Sequence, residues 1–277
     1  MTVSGLGADG RRWTIYCEGF HDRDFLAGCF EDVLHLQPRR REPGIPPGVF
    51  AFRHADVDVW IRQCESKSKV VPAFDAALRE SNAGRPLGLV MCLDERDDDE
   101  KPTAGEALQS ARDRLGAMVA NASAPEDTLA GSTFDRSTGI LQLKDGAQVR
   151  LASVTWCCDD HDAEHLPSRQ NLERLITAAC CDAYPDRGSA VRAWLESRPA
   201  PPTDASSHDK AFSWSHMAGW YPSPGGNDFF RAVWRDPAIR AALCRRMATT
   251  GLDAVLDGLG VVPPWRSATA SADEPRT

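Results

Sequence analysis

The acids of this chain gather in places where chemistry could use them. Glu18-Gly19 is followed closely by Asp22. Asp94 opens the run DERDDDE, six acids in seven residues ending at Glu100, and Asp159–Glu164 holds four more in DDHDAE. Glu173 sits within Asn171-Leu172-Glu173-Arg174. Carboxylates brought together resist joint ionisation unless a cation neutralises them. Mg2+ prefers hard oxygen ligands and commonly engages one or two carboxylates plus a substrate phosphate. Such a centre suits phosphodiester cleavage, where the metal activates a water and stabilises the leaving oxygen. The pattern therefore suggests a divalent-cation site, with Mg2+ or Mn2+ as the expected ion, at least as well as it suggests solvated acidic loops that serve solubility.

For these acids to meet, strands must deliver them to one edge. Arg12–Cys17 (RWTIYC) has the β-branched and aromatic content of a strand and ends at Glu18. His21 to about Leu36 reads as a helix, with Phe25, Leu26, Cys29, Phe30, Val33 and Leu34 on one stripe. A Pro/Arg-rich loop, Pro38–Pro47, contains the basic knot Arg39-Arg40-Arg41. Val49–Arg53 and Val57–Gln63 are β-like, and Val70–Ser81 is helical. Gly88–Leu93 (GLVMCL) is an uninterrupted apolar run ending at Asp94, as expected of a strand buried on both faces of a parallel sheet. Thr103–Ala120 is an amphipathic helix, with Thr103 as cap and Glu106 three residues later. Ile140–Leu143 and Gln148–Trp156 flank Asp145-Gly146, a hairpin signal. Helices follow over Gln170–Ala183 and Ser189–Glu196. Lys210–Trp220, Asp228–Trp234, Pro237–Thr249 and Leu252–Leu259 read as a helical end. Strands alternating with helices predict an α/β fold with a mostly parallel sheet flanked by helices and a helical C-terminal extension. In a parallel sheet the strand C-termini share one edge, the usual place for a ligand. The expected organisation is a flexible leader over 1–10, an α/β domain over 11–198, a linker over 199–208, the helical extension over 209–262 and a disordered tail over 263–277.

Three of these stretches resemble the Toprim (topoisomerase–primase) domains, in particular the small stand-alone Toprim-like proteins and the nuclease domains of the OLD (overcoming-lysogenisation-defect) type. The first Toprim motif is a strand, a Glu-Gly pair and an Asp opening a helix, matched here by Tyr16-Cys17-Glu18-Gly19-Phe20-His21-Asp22-Arg23-Asp24-Phe25-Leu26. The second is an apolar strand ending in Asp-x-Asp, matched by Gly88–Asp94 and the acids beyond. This sequence has Arg96 at the second acidic position, so Asp94 must pair with Asp97 or Asp98. Asn171-Leu172-Glu173-Arg174-Leu175-Ile176 resembles a third motif with a Glu on a later helix, and Lys210-Ala211 resembles a downstream Lys-Ala of the stand-alone group. The resemblance covers roughly residues 12–235. It implies a Toprim-like Rossmannoid fold and an Mg-dependent phosphodiesterase, a nuclease acting on DNA or RNA. Glu18, Asp94 and Asp98 would be catalytic. Glu18, Asp94, Asp97, Asp98 and Glu173 would form the metal shell, with Arg23, Arg96 and Lys210 contacting phosphate. Because OLD-type relatives join this domain to an ATPase, it also implies a separate ATPase partner, in an antiphage or toxin-like system. The competing reading is a non-catalytic Toprim-like module that binds a partner protein or a nucleotide, which Arg96 and the acidic charge favour.

Other chemistries are weaker on the residues. Cys157, Cys158, His161 and His165 invite a zinc reading, yet there is no CxxC, and adjacent cysteines on a strand point opposite ways. A nucleophilic Cys17 or Cys157 served by His21 or His161 is a further alternative. The Gly5–Gly10 stretch lacks the lysine and preceding strand of a phosphate loop. Trp214, Trp220 and Trp234 read as core anchors, since stacking on bases needs exposed rings beside a basic groove.

Composition sets the outer bounds. The 277 residues are 42% hydrophobic and 26% charged, which excludes disorder over the whole length. With 32 Lys+Arg against 40 Asp+Glu the net charge is −8, which disfavours indiscriminate coating of nucleic acid. No apolar run reaches the ~18 residues of a membrane helix. MTVSGLGADGRRW has no apolar signal core, and the nine cysteines are an odd number, so reduced thiols in a cytoplasmic protein are expected.

Overall fold

The computed structural model describes residues 11–39, 42, 44–80, 86–95, 103–123, 129–158, 166, 170–199, 214–215 and 227–266. Its strands are β1 (Arg12–Cys17), β2 (Gln37–Pro38), β3 (Val49–His54), β4 (Val57–Gln63), β5 (Pro86–Asp94), β6 (Thr133–Asp135), β7 (Ile140–Gln142) and β8 (Gln148–Trp156). They form one eight-stranded sheet in the order β2-β3-β4-β1-β5-β8-β7-β6. The four central strands β4, β1, β5 and β8 run parallel. Both flanks are antiparallel, because β3–β4 and β7–β8 are joined by short hairpin connections that must reverse the chain. The fold is thus α/β with a mixed, partly parallel sheet. The tight turns account for its antiparallel share.

Side-chain alternation explains why both faces of this sheet are covered. Trp13, Ile15 and Cys17 of β1, Val90 and Cys92 of β5, and Val154 and Trp156 of β8 enter one core. Tyr16, Leu89, Met91, Leu93 and Leu151, from the same strands, enter a second core on the other face. Helices α1 (Phe20–Gly28) and α4 (Leu172–Ala183) cover the first face. Helices α2 (Lys67–Glu80) and α3 (Ala104–Asn121) cover the second. The chain therefore leaves β1 toward one face and leaves its neighbour β5 toward the other. Where adjacent strands send their connections to opposite faces, a crevice opens beyond their C-terminal ends. Glu18 and Asp94 stand at that place.

The predicted helix over His21–Leu36 is broken. After Gly28 the chain widens into a π-helical turn, Cys29–Val33, and stops at His35, whose φ is 54°. Leu36 then donates to the Phe30 carbonyl at 2.8 Å. The capping box predicted for α3 is present, with Thr103 Oγ1 accepting from the Glu106 amide at 3.2 Å and Glu106 accepting from the Thr103 amide at 2.9 Å.

The C-terminal helices finish the first core. Beyond α5 (Pro185–Glu196) they are α6 (Asn227–Ala232), α7 (Pro237–Met247) and α8 (Leu252–Leu259). Phe229, Phe230, Trp234, Leu243, Leu256 and Trp265 join the cluster that holds Trp13 and Phe25. The Trp234 indole donates to the Phe25 carbonyl of α1 at 2.9 Å, inside the protein. A Cβ on Gly28 would lie 2.3 Å from the Arg231 carbonyl oxygen and 2.7 Å from Trp234, so only glycine lets α1 approach α6 this closely. The predicted tail from 263 is corrected at its start. Trp265 is 2% exposed and its indole donates to Asp253 at 2.6 Å, while Arg266 pairs with Asp253 and Asp257, so residues 263–266 are packed. Residues 1–10, the linker over 199–208 except for its first residue, and residues 267–277 lie outside the described residues. So does the predicted Lys210–Trp220 helix, apart from the helical pair Trp214 and Ser215.

Gly28→Ala should lower stability by about 1–3 kcal/mol through overpacking. Gly105→Ala, where an added Cβ meets nothing within 4 Å, should be neutral or slightly stabilising. Urea denaturation of both variants checks this: equal stabilities would mean that α1 and α6 are not held at the described distance.

Candidate functional site at the C-terminal strand edge

The crevice is stitched by carboxylates. The Asp94 amide at the end of β5 donates to Glu18 Oε1, just beyond β1, at 3.0 Å. The amide of Leu172, the first residue of α4, donates to Asp94 Oδ1 at 3.2 Å. Strand ends and helix starts both leave amides without partners in their own element, and these acids satisfy them. Asp94 also lies at the N-terminal, positive end of the α4 dipole. Asn171 caps the same helix, accepting from the Arg174 amide at 2.9 Å. Glu18 and Asp94 thus occupy neighbouring strand ends at one sheet edge, one hydrogen bond apart.

Asp22 and Glu173 extend the group. Asp22 is buried at 7% exposure, accepts from the Gly19 amide at 2.8 Å and from the Trp156 indole at 2.7 Å, and so fastens the start of α1 to the end of β8. Burial pushes its carboxyl up to about 6, and the charge of Glu173 adds to this against the two hydrogen bonds. The Glu173 carboxylate meets His21 Nδ1 at 3.2 Å. His21 stacks on Phe230 of α6 with centroids 4.0 Å apart and planes 15° apart. The sequence gives no sign of the His21–Glu173 contact, because 152 residues separate the partners. Only the proximity of His21 to the Glu-Gly pair could have drawn attention to it.

The field at this edge is negative. Burial raises the Cys17 thiol, and the charges of Asp22 and Glu18 push it further. Cys92 on the adjacent strand is likewise raised, by burial first, with Asp22 and Asp94 contributing. A thiol that is fully buried and raised in this way is a poor nucleophile, which weighs against the Cys17 alternative. All nine cysteines are free thiols. The zinc alternative rested on residues of which only Cys157 and Cys158 are described, and Cys158 serves the scaffold. Its amide donates to Gln170 at 2.7 Å and its carbonyl accepts from the buried Arg174 Nε at 2.9 Å.

The remaining sequence candidates fare differently. Arg96, Asp97, Asp98 and Lys210 lie outside the described residues. Arg23 is employed by the fold. It contacts Asp24 at 3.1 Å, donates to the Gly48 carbonyl at 3.0 Å and lies 4.2 Å from the Phe50 ring centroid, with its side chain 13% exposed. A phosphate contact would have to displace these partners. Among the described residues no three His, Cys, Asp or Glu side chains are grouped to hold a metal ion. The donor chemistry nevertheless fits a hard cation. Two strand-end carboxylates sit in a negative field, and Mg2+ commonly binds one or two carboxylates and takes its other ligands from water and phosphate.

Fold and site together define an α/β sheet protein with carboxylates gathered at the C-terminal edge of its parallel strands. In fold the chain is similar to the hypothetical protein PH0156 from Pyrococcus horikoshii OT3, with a TM-score of 0.58 at 14% identity over 90% of this chain and 99% of that one. The C-terminal region of the Burkholderia pseudomallei OLD protein aligns over 91% of this chain and 100% of that one at 16% identity, with a TM-score of 0.33 that carries no argument. At such identities the first likeness concerns the fold alone. No protein-family model matches the sequence, and no curated protein does. No helix among the described residues is long and apolar enough to cross a membrane.

Asp22 yields a pH prediction. Its carboxyl is raised above the unfolded value near 4, so the folded protein holds this proton more tightly. Its contribution to stability is fully present below about pH 4 and is lost as pH rises through about 6. Asp22→Asn should therefore cost more stability at pH 4 than at pH 7.5, by on the order of 2–3 kcal/mol. Urea titrations of wild type and variant at the two pH values measure this. A penalty independent of pH would mean that Asp22 is not the buried acid described.

Proposed function

We propose that the chain is an Mg2+- or Mn2+-dependent phosphodiesterase, a nuclease acting at the crevice beyond β1 and β5. The observation that supports this most is the hydrogen-bonded placement of Glu18 and Asp94 on adjacent strand ends. A bound divalent ion would supply Lewis-acid stabilisation of the phosphodiester and a water of lowered pKa. Glu18 and Asp94 would hold the ion. Their amide contacts fix each carboxylate in orientation. Glu173, oriented by His21, would complete the shell or accept a proton at its carboxylate. Asp97 and Asp98, with Arg96 and Lys210 toward phosphate, belong to this proposal through the Toprim resemblance. A separate ATPase partner and an antiphage setting belong to it on the same ground. Arg96 in the place of the second acid and the net charge of −8 favour the non-catalytic module instead.

Glu18→Gln and Asp94→Asn separate chemistry from architecture. Each amide keeps an oxygen that can accept the existing backbone hydrogen bond while losing the charge. Loss of outer-shell support alone costs a metal site 10–100-fold, so losing a ligand's charge should lower cleavage by about 100-fold or more. The assay is cleavage of labelled RNA and DNA with Mg2+ or Mn2+. Millimolar Mg2+ should also raise the wild-type melting temperature, and raise it less in either variant. Cleavage unchanged in both variants, or no cleavage and no Mg2+-dependent shift in wild type, would leave the non-catalytic module as the reading.

A further inference from the structure

Two large aromatic rings stand in solvent beside the carboxylate crevice. Phe20, two residues after Glu18, is 39% exposed, and Trp214 is 41% exposed. Trp214 was expected as a core anchor like Trp234, yet Trp234 is 0% exposed and Trp214 is not buried. Both rings lean on His21. Phe20 lies 4.1 Å from it with planes at 73°, and Trp214 lies 6.0 Å from it at 70°. Trp214 also meets Phe230 edge-on, at 6.4 Å and 85°. Neither ring is stacked flat on these neighbours. His21 itself has one face against Phe230 and its Nδ1 on Glu173. The aromatic pair is therefore anchored to the same side chain that orients the acid at the crevice.

Exposing two such rings carries a hydrophobic cost that packing does not recover, and their place next to a proposed phosphodiester site suggests what covers them. We propose that Phe20 and Trp214 form a stacking platform for unpaired nucleobases, so that the substrate is single-stranded nucleic acid, RNA or DNA. This rests on the phosphodiesterase reading of the crevice. The net charge is −8 and the edge is negative, so this platform departs from the basic groove that usually accompanies stacking, and the bases themselves must supply the affinity. Base–aromatic stacking supplies affinity without attraction to phosphate and tolerates any sequence, since every base has a π-face. A base pair buried in a duplex offers neither face, so the platform selects single strands or frayed ends.

The test is binding of the full chain to labelled oligonucleotides of one length, followed by fluorescence anisotropy in EDTA and in millimolar Ca2+. The probes are single-stranded DNA, single-stranded RNA, an abasic strand of the same charge and a blunt duplex. The single strands should bind about tenfold more tightly than the abasic strand or the duplex. Phe20→Leu and Trp214→Leu keep apolar bulk and remove the aromatic face. Each should weaken binding to the base-bearing strands by about tenfold and leave abasic binding unchanged, while Phe20→Tyr and Trp214→Phe retain most of it. Thermal melts of the variants establish that they fold. Equal binding of abasic and base-bearing strands, affinities unmoved in both leucine variants, or no binding by wild type would each overturn the platform. Wild-type self-association that the leucine variants abolish, seen by sedimentation, would overturn it in favour of a second copy. Base-selective binding without cleavage would sink the phosphodiesterase reading alone. Cleavage that ignores the bases would sink the platform alone.

Discussion

The hydrogen bond from the Asp94 amide to the Glu18 carboxylate carries the β1–β5 pairing one step past the last ladder residues, to the point where the chain diverges. At that point β1 leaves for one face of the sheet and β5 for the other, and an amide at such a fork has no strand partner ahead of it. Glu18 supplies the acceptor, and Asp94 in turn accepts from the first residue of α4. One strand end is thereby tied to the next, and that to a helix arriving from 78 residues further on. The same acids that could bind an ion are thus caps for backbone groups. Their geometry is fixed by the fold's need to satisfy buried amides. A site built in this way is preorganised, because moving a carboxylate would strand an amide.

Holding acids this close raises the energy of the charged crevice. The elevated carboxyl of Asp22 and the elevated thiols of Cys17 and Cys92 all register it, each mainly through burial and further through neighbouring carboxylates. Asp22 is tolerated because two donors, the Gly19 amide and the Trp156 indole, face its two oxygens. A divalent cation in the crevice would relieve the same repulsion.

The C-terminal helices are part of this arrangement. The ring of Trp13 is confined between Gly88 of β5 and Gly258 of α8, where an added Cβ would sit 2.3 Å from the indole on either side. Phe230 of α6 backs His21, and Trp234 bonds to the α1 backbone. The helix that carries Asp22 and His21 is therefore clamped by residues more than 200 positions away. The orientation of Glu173 depends on that clamp.

Much of this was legible in the residues themselves. The uninterrupted apolar run of β5 announced a strand covered on both faces, Thr103 and Glu106 announced the α3 cap, and Asp145-Gly146 announced the β7–β8 hairpin. Each is a local signal set by side-chain period or turn chemistry. Glu18 and Asp94 could be placed at strand ends for the same reason. Sequence could not reveal how far the parallel pairing extends, because strand polarity depends on which connections are short. Nor could it tell that Arg23 is consumed by Asp24 and Phe50, that Trp265 is buried, or that Trp214 is exposed while Trp234 is not. Those facts depend on which surfaces meet after the chain has crossed over itself. Local pattern decides what each segment becomes and which acids end it. Only the packing of distant segments decides that His21 meets Glu173, because a pair so far apart in sequence has no pattern to betray it.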